Sequence, residues 1–296
     1  MANQMDCRIW VAARQVLQER WGSLITQIHV GEVRLLIRGE STLSLATLLL
    51  ISGLVVYGIR SARNGRLPQI RPIPGLMAIE EAVGRATELG KPVHYNPGLG
   101  DLVSEVAPQT LAGLDILSYV ARTCARYNAD LIVTNRNAVV HPITEEIVRQ
   151  AFLAEGVADK LKPETVRFLS EEQFAYAASA MGIIQREQAA ANIMIGAYYA
   201  EALLLAESAA HVGAIQIGST ARMYQLPFFV AACDYTLLGD EMYAGGAYVS
   251  RDPVRLGSIL GQDIAKIIMI ALGVLGTLSA TFGSSWLKDL FTRFGK

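Results

Sequence analysis

The chain has 296 residues and a formal net charge of −1, so it lacks the basic face that a nucleic-acid surface needs, and no nucleic-acid partner is expected. Its hydrophobic content of 52% and mean hydropathy of +0.31 are high for a soluble domain and low for a polytopic membrane protein. The three cysteines, Cys7, Cys124 and Cys233, are far apart and form no CxxC pair, which excludes a disulfide framework and a cysteine-rich zinc site. Cys124 and Cys233 lie in apolar segments and read as small core residues.

Taken in order, residues 7–28 place Ile9, Ala13, Trp21, Leu24 and Ile28 at helical spacing. This describes either an amphipathic helix lying on a bilayer with Trp10 and Trp21 at headgroup level, or one packed on a partner or on the domain. Asp6, Arg8, Arg14, Glu19 and Arg20 interrupt any signal-peptide apolar region. Residues 29–40 alternate enough for a short strand or an extended lead-in.

The next stretch, Leu43–Ile59, carries no charge and is followed by Arg60, Arg63, Arg66 and Arg71. A bilayer needs about 20 apolar residues, and this run nearly supplies them. A second apolar run, Ile267–Phe282, lies near the C-terminus. The arginine flank outnumbers Arg34 and Arg38 on the other side, so the residues between the spans are expected in the cytoplasm, at the inner membrane of a cell. The lipid bilayer is thus an expected partner.

Residues 67–76 hold three prolines and form a semi-rigid spacer. Helices are then expected at Met77–Leu89 (with Gly90 as its C-cap), Gln109–Tyr127, Thr144–Leu153, after Ser170, and at Tyr198–His211. Strands are expected at Pro92–Tyr95, Asp130–Thr134, Val166–Leu169, Ala191–Ile195, Ala214–Ile217 and Phe228–Cys233. Short β-branched strands between helices imply a mainly parallel sheet covered on both sides. The fold class is α/β, doubly wound in the Rossmann-like manner, flanked by two transmembrane helices. The expected organisation is an amphipathic segment (1–40), a first span (41–60), a linker (61–76), an α/β domain (77–262), a second span (263–284) and a tail (285–296). Ala189–Ala206 contains one charge, Glu201, and would pass for a third span; Gly196 and Glu201 favour a strand, a turn and a buried helix instead.

The segment His94-Tyr95-Asn96-Pro97-Gly98-Leu99-Gly100-Asp101 follows the first expected strand. Ligands of open α/β sheets bind beyond the carboxyl ends of strands, and a glycine-rich loop there can present backbone N–H groups to a phosphate. Val103 stands where a third glycine would complete the dinucleotide pattern, so a plain turn is the competing reading. Thr134, Ser219 and Asp234 would join His94, Asn96, Gly98, Gly100 and Asp101 along one sheet edge; alternatively Asp234 caps the next helix. Glu201 is expected to pair with Arg186 or Arg222. The four histidines show no metal-ligand spacing, no GxSxG elbow occurs, and no cofactor or catalytic set follows.

Four segments, RPIPGLMAIEEAVGRATELGKPVHYNPG (71–98), FLSEEQFAYAASAMGIIQRE (168–187), GAIQIGS (213–219) and QLPFFVAACDYTLLGDEMYAGGAYVS (225–250), resemble an uncharacterised family of membrane-anchored bacterial and archaeal proteins. The resemblance covers about residues 70–265 and implies a membrane context and a domain of unknown function, with no activity attached. The expected function is a membrane-anchored oligomeric scaffold or assembly protein without catalysis. A small-ligand or nucleotide-binding domain, or an accessory subunit of a larger membrane complex, are the alternatives, so partners are copies of the chain or other membrane subunits.

Overall fold

The computed structural model describes residues 39–65, 73–250 and 252–282. The expectations for residues 7–28 and 29–38, and the arginines Arg66 and Arg71, lie outside them. The chain divides into two compact units, one holding the described residues up to 65 and from Gly257 onward, the other running from Leu67 to Leu256.

The first unit is a helix pair. Helix α1, Gly39–Arg63, has 25 residues and extends beyond the apolar run at both ends. Its partner is the greater part of the 29-residue helix Pro253–Thr281 (α9, numbered in chain order with the helices below). Both are long and apolar enough to cross a membrane.

In the second unit, a helix at Pro74–Leu89 (α2) starts with proline in its first turn, where a missing N–H costs nothing. It stops at Gly90, whose φ of 63° lets Lys91 N–H donate back to Ala86 O. Then follow β1 (Val93–Gly98), α3 (Ala107–Tyr127), β2 (Leu131–Asn135), α4 (Val140–Ala154), β3 (Val166–Phe168), α5 (Gln173–Arg186), β4 (Ala191–Ala197), α6 (Glu201–His211), β5 (Ile215–Thr220), α7 (Leu226–Ala232), β6 (Tyr235–Leu238) and α8 (Asp240–Ser250). All strand pairings are parallel, and the sheet order is β3-β2-β1-β4-β5-β6. That is the strand order of a doubly wound sheet whose direction of travel reverses between β1 and β4. The two edge strands are short, three residues in β3 and four in β6.

The faces of the sheet differ in chemistry. One carries Val93, Tyr95, Val133, Ile193, Ile195 and Ile217 into an apolar core with α2, α3, α4 and α8. The other is covered by α5, α6 and α7 around Tyr176, Met194, Tyr198, Leu205 and Phe229. Strand alternation turns His94, Asn96, Thr134, Asn192 and Gln216 to this second face, where all are buried.

One expectation needs correction. Phe228–Cys233 is not a strand: Leu226–Ala232 is a helix with Pro227 in its first turn, and the sixth strand begins two residues after Cys233. A short apolar run cannot be told apart by periodicity alone. The segment 189–206 divides into β4 and α6, the strand and buried helix expected there, and is no third span.

Candidate functional site

The site to test is the carboxyl edge of the sheet at the reversal between β1 and β4. Its backbone is unusually close. Gly98 (φ 84°) would put a Cβ 2.7 Å from Ala197 N, and one on Gly196 would lie 2.2 Å from Pro97 O. No side chain fits either contact, so glycine here serves the crossing of two strand ends. Leu99 N donates to Ala197 O at 2.8 Å, Gly98 N to Asn96 Oδ1 at 2.8 Å, and Tyr198 OH to Asn96 O at 2.8 Å.

The loop from Gly98 then folds inward. Leu99 is buried, and a Cβ on Gly100 would meet Thr110 Oγ1 at 2.2 Å. Arg136, just past β2, donates to Leu99 O at 3.2 Å and to Glu171 O at 2.7 Å, clasping the loop. Asp101 accepts from Val103 N and Ser104 N; these contacts, the Ser104 hydroxyl first, hold its carboxyl below the usual carboxylate range. Residues Pro97–Gly100 are all buried. The crevice in which such sheets hold a ligand is filled by the chain itself.

Beneath the loop runs a buried hydrogen-bond chain. His94 Nδ1 lies 2.8 Å from Asn192 Oδ1, and Nε2 lies 3.0 Å from Thr134 Oγ1. A carbonyl oxygen only accepts, so Nδ1 carries the proton, Nε2 accepts from the Thr134 hydroxyl, and Tyr176 OH donates onward to Thr134 Oγ1 at 2.9 Å. Burial, reinforced by the Arg167 charge, lowers the His94 pKa to about 4, so the ring is neutral at pH 7. Asn96 Nδ2, Asn192 Nδ2 and Gln216 Oε1 are buried without a partner, and Asn192 and Gln216 are cross-strand neighbours.

His94 and Thr134 thus share one network and Asn96 the same face, while Gly98 closes β1 and Gly100 and Asp101 lie in the loop above. Ser219 is also near the carboxyl edge, but its hydroxyl is spent on Leu237 O at 2.9 Å. Asp234 is not at this edge. Because the preceding segment is helical, Asp234 leads into β6 and binds Gln216 N at 2.8 Å, at the start of β5. It caps no helix.

Glu201 is fully buried and pairs with neither Arg186 nor Arg222. It opens α6, where a helix N-terminus favours a negative charge, and accepts from Tyr199 N and Gln173 Nε2. Arg222 instead stacks over the Tyr199 ring at 4.2 Å, donates to Tyr199 OH at 2.8 Å and to Tyr224 OH. Burial pushes the thiols of Cys124 and Cys233 up, Cys233 to about 12, which makes them core residues rather than nucleophiles. Among the described residues no group of three His, Cys, Asp or Glu side chains could hold a metal ion.

Tyr176 and Arg136 carry no site signal in the sequence, and Arg222 was expected only as a partner of Glu201. The one local signal was Asn192, a polar residue inside the apolar strand AANIMIGA.

A family model described as a domain of unknown function (DUF6754) matches residues 34–291. No curated protein and no solved structure matches the chain.

Proposed function

We propose, starting from the fact that the chain belongs to this family of unknown-function domains, that it is a membrane-anchored oligomeric scaffold or assembly protein. Helices α1 and α9 anchor it in the inner membrane, and the residues between them lie on the cytoplasmic side. The arginine flank Arg60, Arg63, Arg66 and Arg71 supports that orientation. The observation that carries the reading is the filled crevice. The edge at which a doubly wound sheet presents ligands is occupied by Leu99 and its clasp from Arg136, and the buried His94 chain reaches no open surface. A sheet unit built this way is suited to be held and arrayed. Native mass spectrometry and particle images in mild detergent test it: discrete oligomers are expected, and monomers alone would refute it. Co-purification of other membrane proteins at fixed ratio would move the reading to an accessory subunit.

A second reading, small-ligand or nucleotide binding, draws on the strand order and on Arg222, whose guanidinium stands on Tyr199 just past β5. It requires the 98–106 loop to lift. A thermal-shift screen with nucleotides decides it: a shift that Gly98→Ala or Arg222→Ala abolishes supports binding, and no shift removes it.

A further inference from the structure

Helices α1 and α9 run antiparallel in backbone contact. A Cβ on Gly58 would lie 2.2 Å from Gly257 O, and one on Gly261 2.5 Å from Val55 Cα. In that register the two apolar runs are staggered: Leu43–Ile59 ends beside Gly257, and the run of α9 begins only at Ile267, ten residues further along. At this end of the pair α1 draws the boundary between apolar and polar surface.

Gly58 and Ala62, one turn apart on α1, are buried, while Leu48, Leu49, Val56, Tyr57, Arg60 and Arg63 are exposed. Along the helix axis these exposed residues run from aliphatic through aromatic to basic. With a rise of about 1.5 Å per residue, Arg60 stands about 4.5 Å and Arg63 about 9 Å beyond Tyr57. A tyrosine prefers the membrane–water interface, and the headgroup layer beyond the hydrocarbon is about 5–7 Å deep on each side. With Tyr57 at the edge of the hydrocarbon, the two long arginine side chains reach the headgroup phosphates.

Nothing in the chain nearby neutralises them. The side chains of Arg60 and Arg63 make no hydrogen bond or ion pair with any described residue. No Asp or Glu occurs between Glu40 and Glu80. Counted from the Val55–Gly261 contact, Asp263 of α9 lies about seven residues, or about 10 Å, along the axis from Arg60.

Resting on the reading of α1 and α9 as membrane anchors, we infer that Arg60 and Arg63 form a binding site on α1 for the phosphate of an anionic phospholipid headgroup. The partner follows from charge and depth. A guanidinium pairs bidentately with phosphate oxygens, and two of them three residues apart on one helix make a single patch. Val56 and the leucines below meet the acyl chains of the same lipid. A zwitterionic headgroup brings its own ammonium to its phosphate and an anionic one does not, so the patch discriminates by net charge, by about fivefold for each arginine.

The test uses the full chain in mild detergent, with phosphatidylglycerol or phosphatidylcholine added and bound lipid counted by native mass spectrometry. Phosphatidylglycerol is expected to bind about tenfold tighter or more, with the preference falling as salt rises. Arg60→Gln combined with Arg63→Gln is expected to remove most of that preference, and Arg60→Lys combined with Arg63→Lys, which keeps both charges, to retain the larger part. Should the glutamine variant be poorly produced, the wild-type salt series carries the test. Equal binding of the two lipids by the wild type, a preference indifferent to salt, or an undiminished preference in the glutamine variant overturns the site and leaves the anchors standing. A lysine variant no better than the glutamine one overturns charge as its basis. Displacement of the lipid by millimolar inorganic phosphate would make this a free-anion site and overturns the lipid assignment. A wild-type chain that alkaline carbonate washes off membranes overturns both the site and the anchors.

Discussion

His94 shows what one buried side chain imposes on the whole molecule. Its folded pKa of about 4 lies below the ordinary 6.5, so the unfolded chain takes up a proton that the folded one refuses. The stability this neutral ring contributes is therefore complete above pH 6.5 and lost as pH falls from 6.5 to 4, amounting to about 3 kcal/mol over that window. Thermal unfolding of the full chain between pH 7 and pH 4 should show a midpoint that falls more steeply in wild type than in His94→Gln, which has no proton to gain. Glu201 makes a second case. Glu201→Ala strands the Gln173 amide and the Tyr199 N–H, with an expected loss of about 1–3 kcal/mol, whereas Glu201→Gln retains an acceptor and should lose less; chemical denaturation separates them. The sequence singled out His94, Asn96 and Thr134 because they end recognisable strands. It could not disclose Asn192, since that partner stands 98 residues away and only strand register brings it alongside. Asp234 was misplaced by the step before it: LPFFVAA is as apolar as a strand, and the proline in its first turn was the one sign of a helix.

At the scale of elements, the closest approaches are made by backbone. Gly98→Ala adds a Cβ against the Ala197 backbone at a φ of 84°, and neither strand can withdraw without breaking the Leu99–Ala197 hydrogen bond. The expected cost is about 2 kcal/mol or more, seen as a melting temperature lower by about 5 °C. Gly261→Leu should likewise separate α1 from α9, which cross-linking between cysteines placed at Val55 and Gln262 would register as a loss of yield. The helices and most strands were legible because they are short periodic runs punctuated by Gly90, Gly156 and Gly213, all with positive φ. The strand order was not legible. Each crossover could be seen to lead from one strand to the next, but whether β4 returned beside β1 or continued beyond β3 depends on which faces of α5 and α6 are buried. Those faces are almost equally apolar in sequence.

For the molecule as a whole, the apolar runs and the arginines beside the first were plain in the sequence, while their stagger was not, because it depends on the glycine contact between Val55 and Gly261. Orientation is open to measurement: a cysteine introduced at exposed Glu146 should be labelled only by reagents that reach the cytoplasmic side. Replacing Arg60, Arg63, Arg66 and Arg71 together by alanine should lower that preference. The short edge strands have a further consequence. Chains confined to a membrane meet one another at high local concentration, where a long unpaired strand would seed sheet-to-sheet aggregation. With only three residues at one edge and four at the other, the sheet offers neighbouring copies too few backbone groups to zip together. On the proposed reading of a membrane-anchored oligomer, crowding on a surface would then proceed without fibril formation, and contacts between copies would be left to side chains.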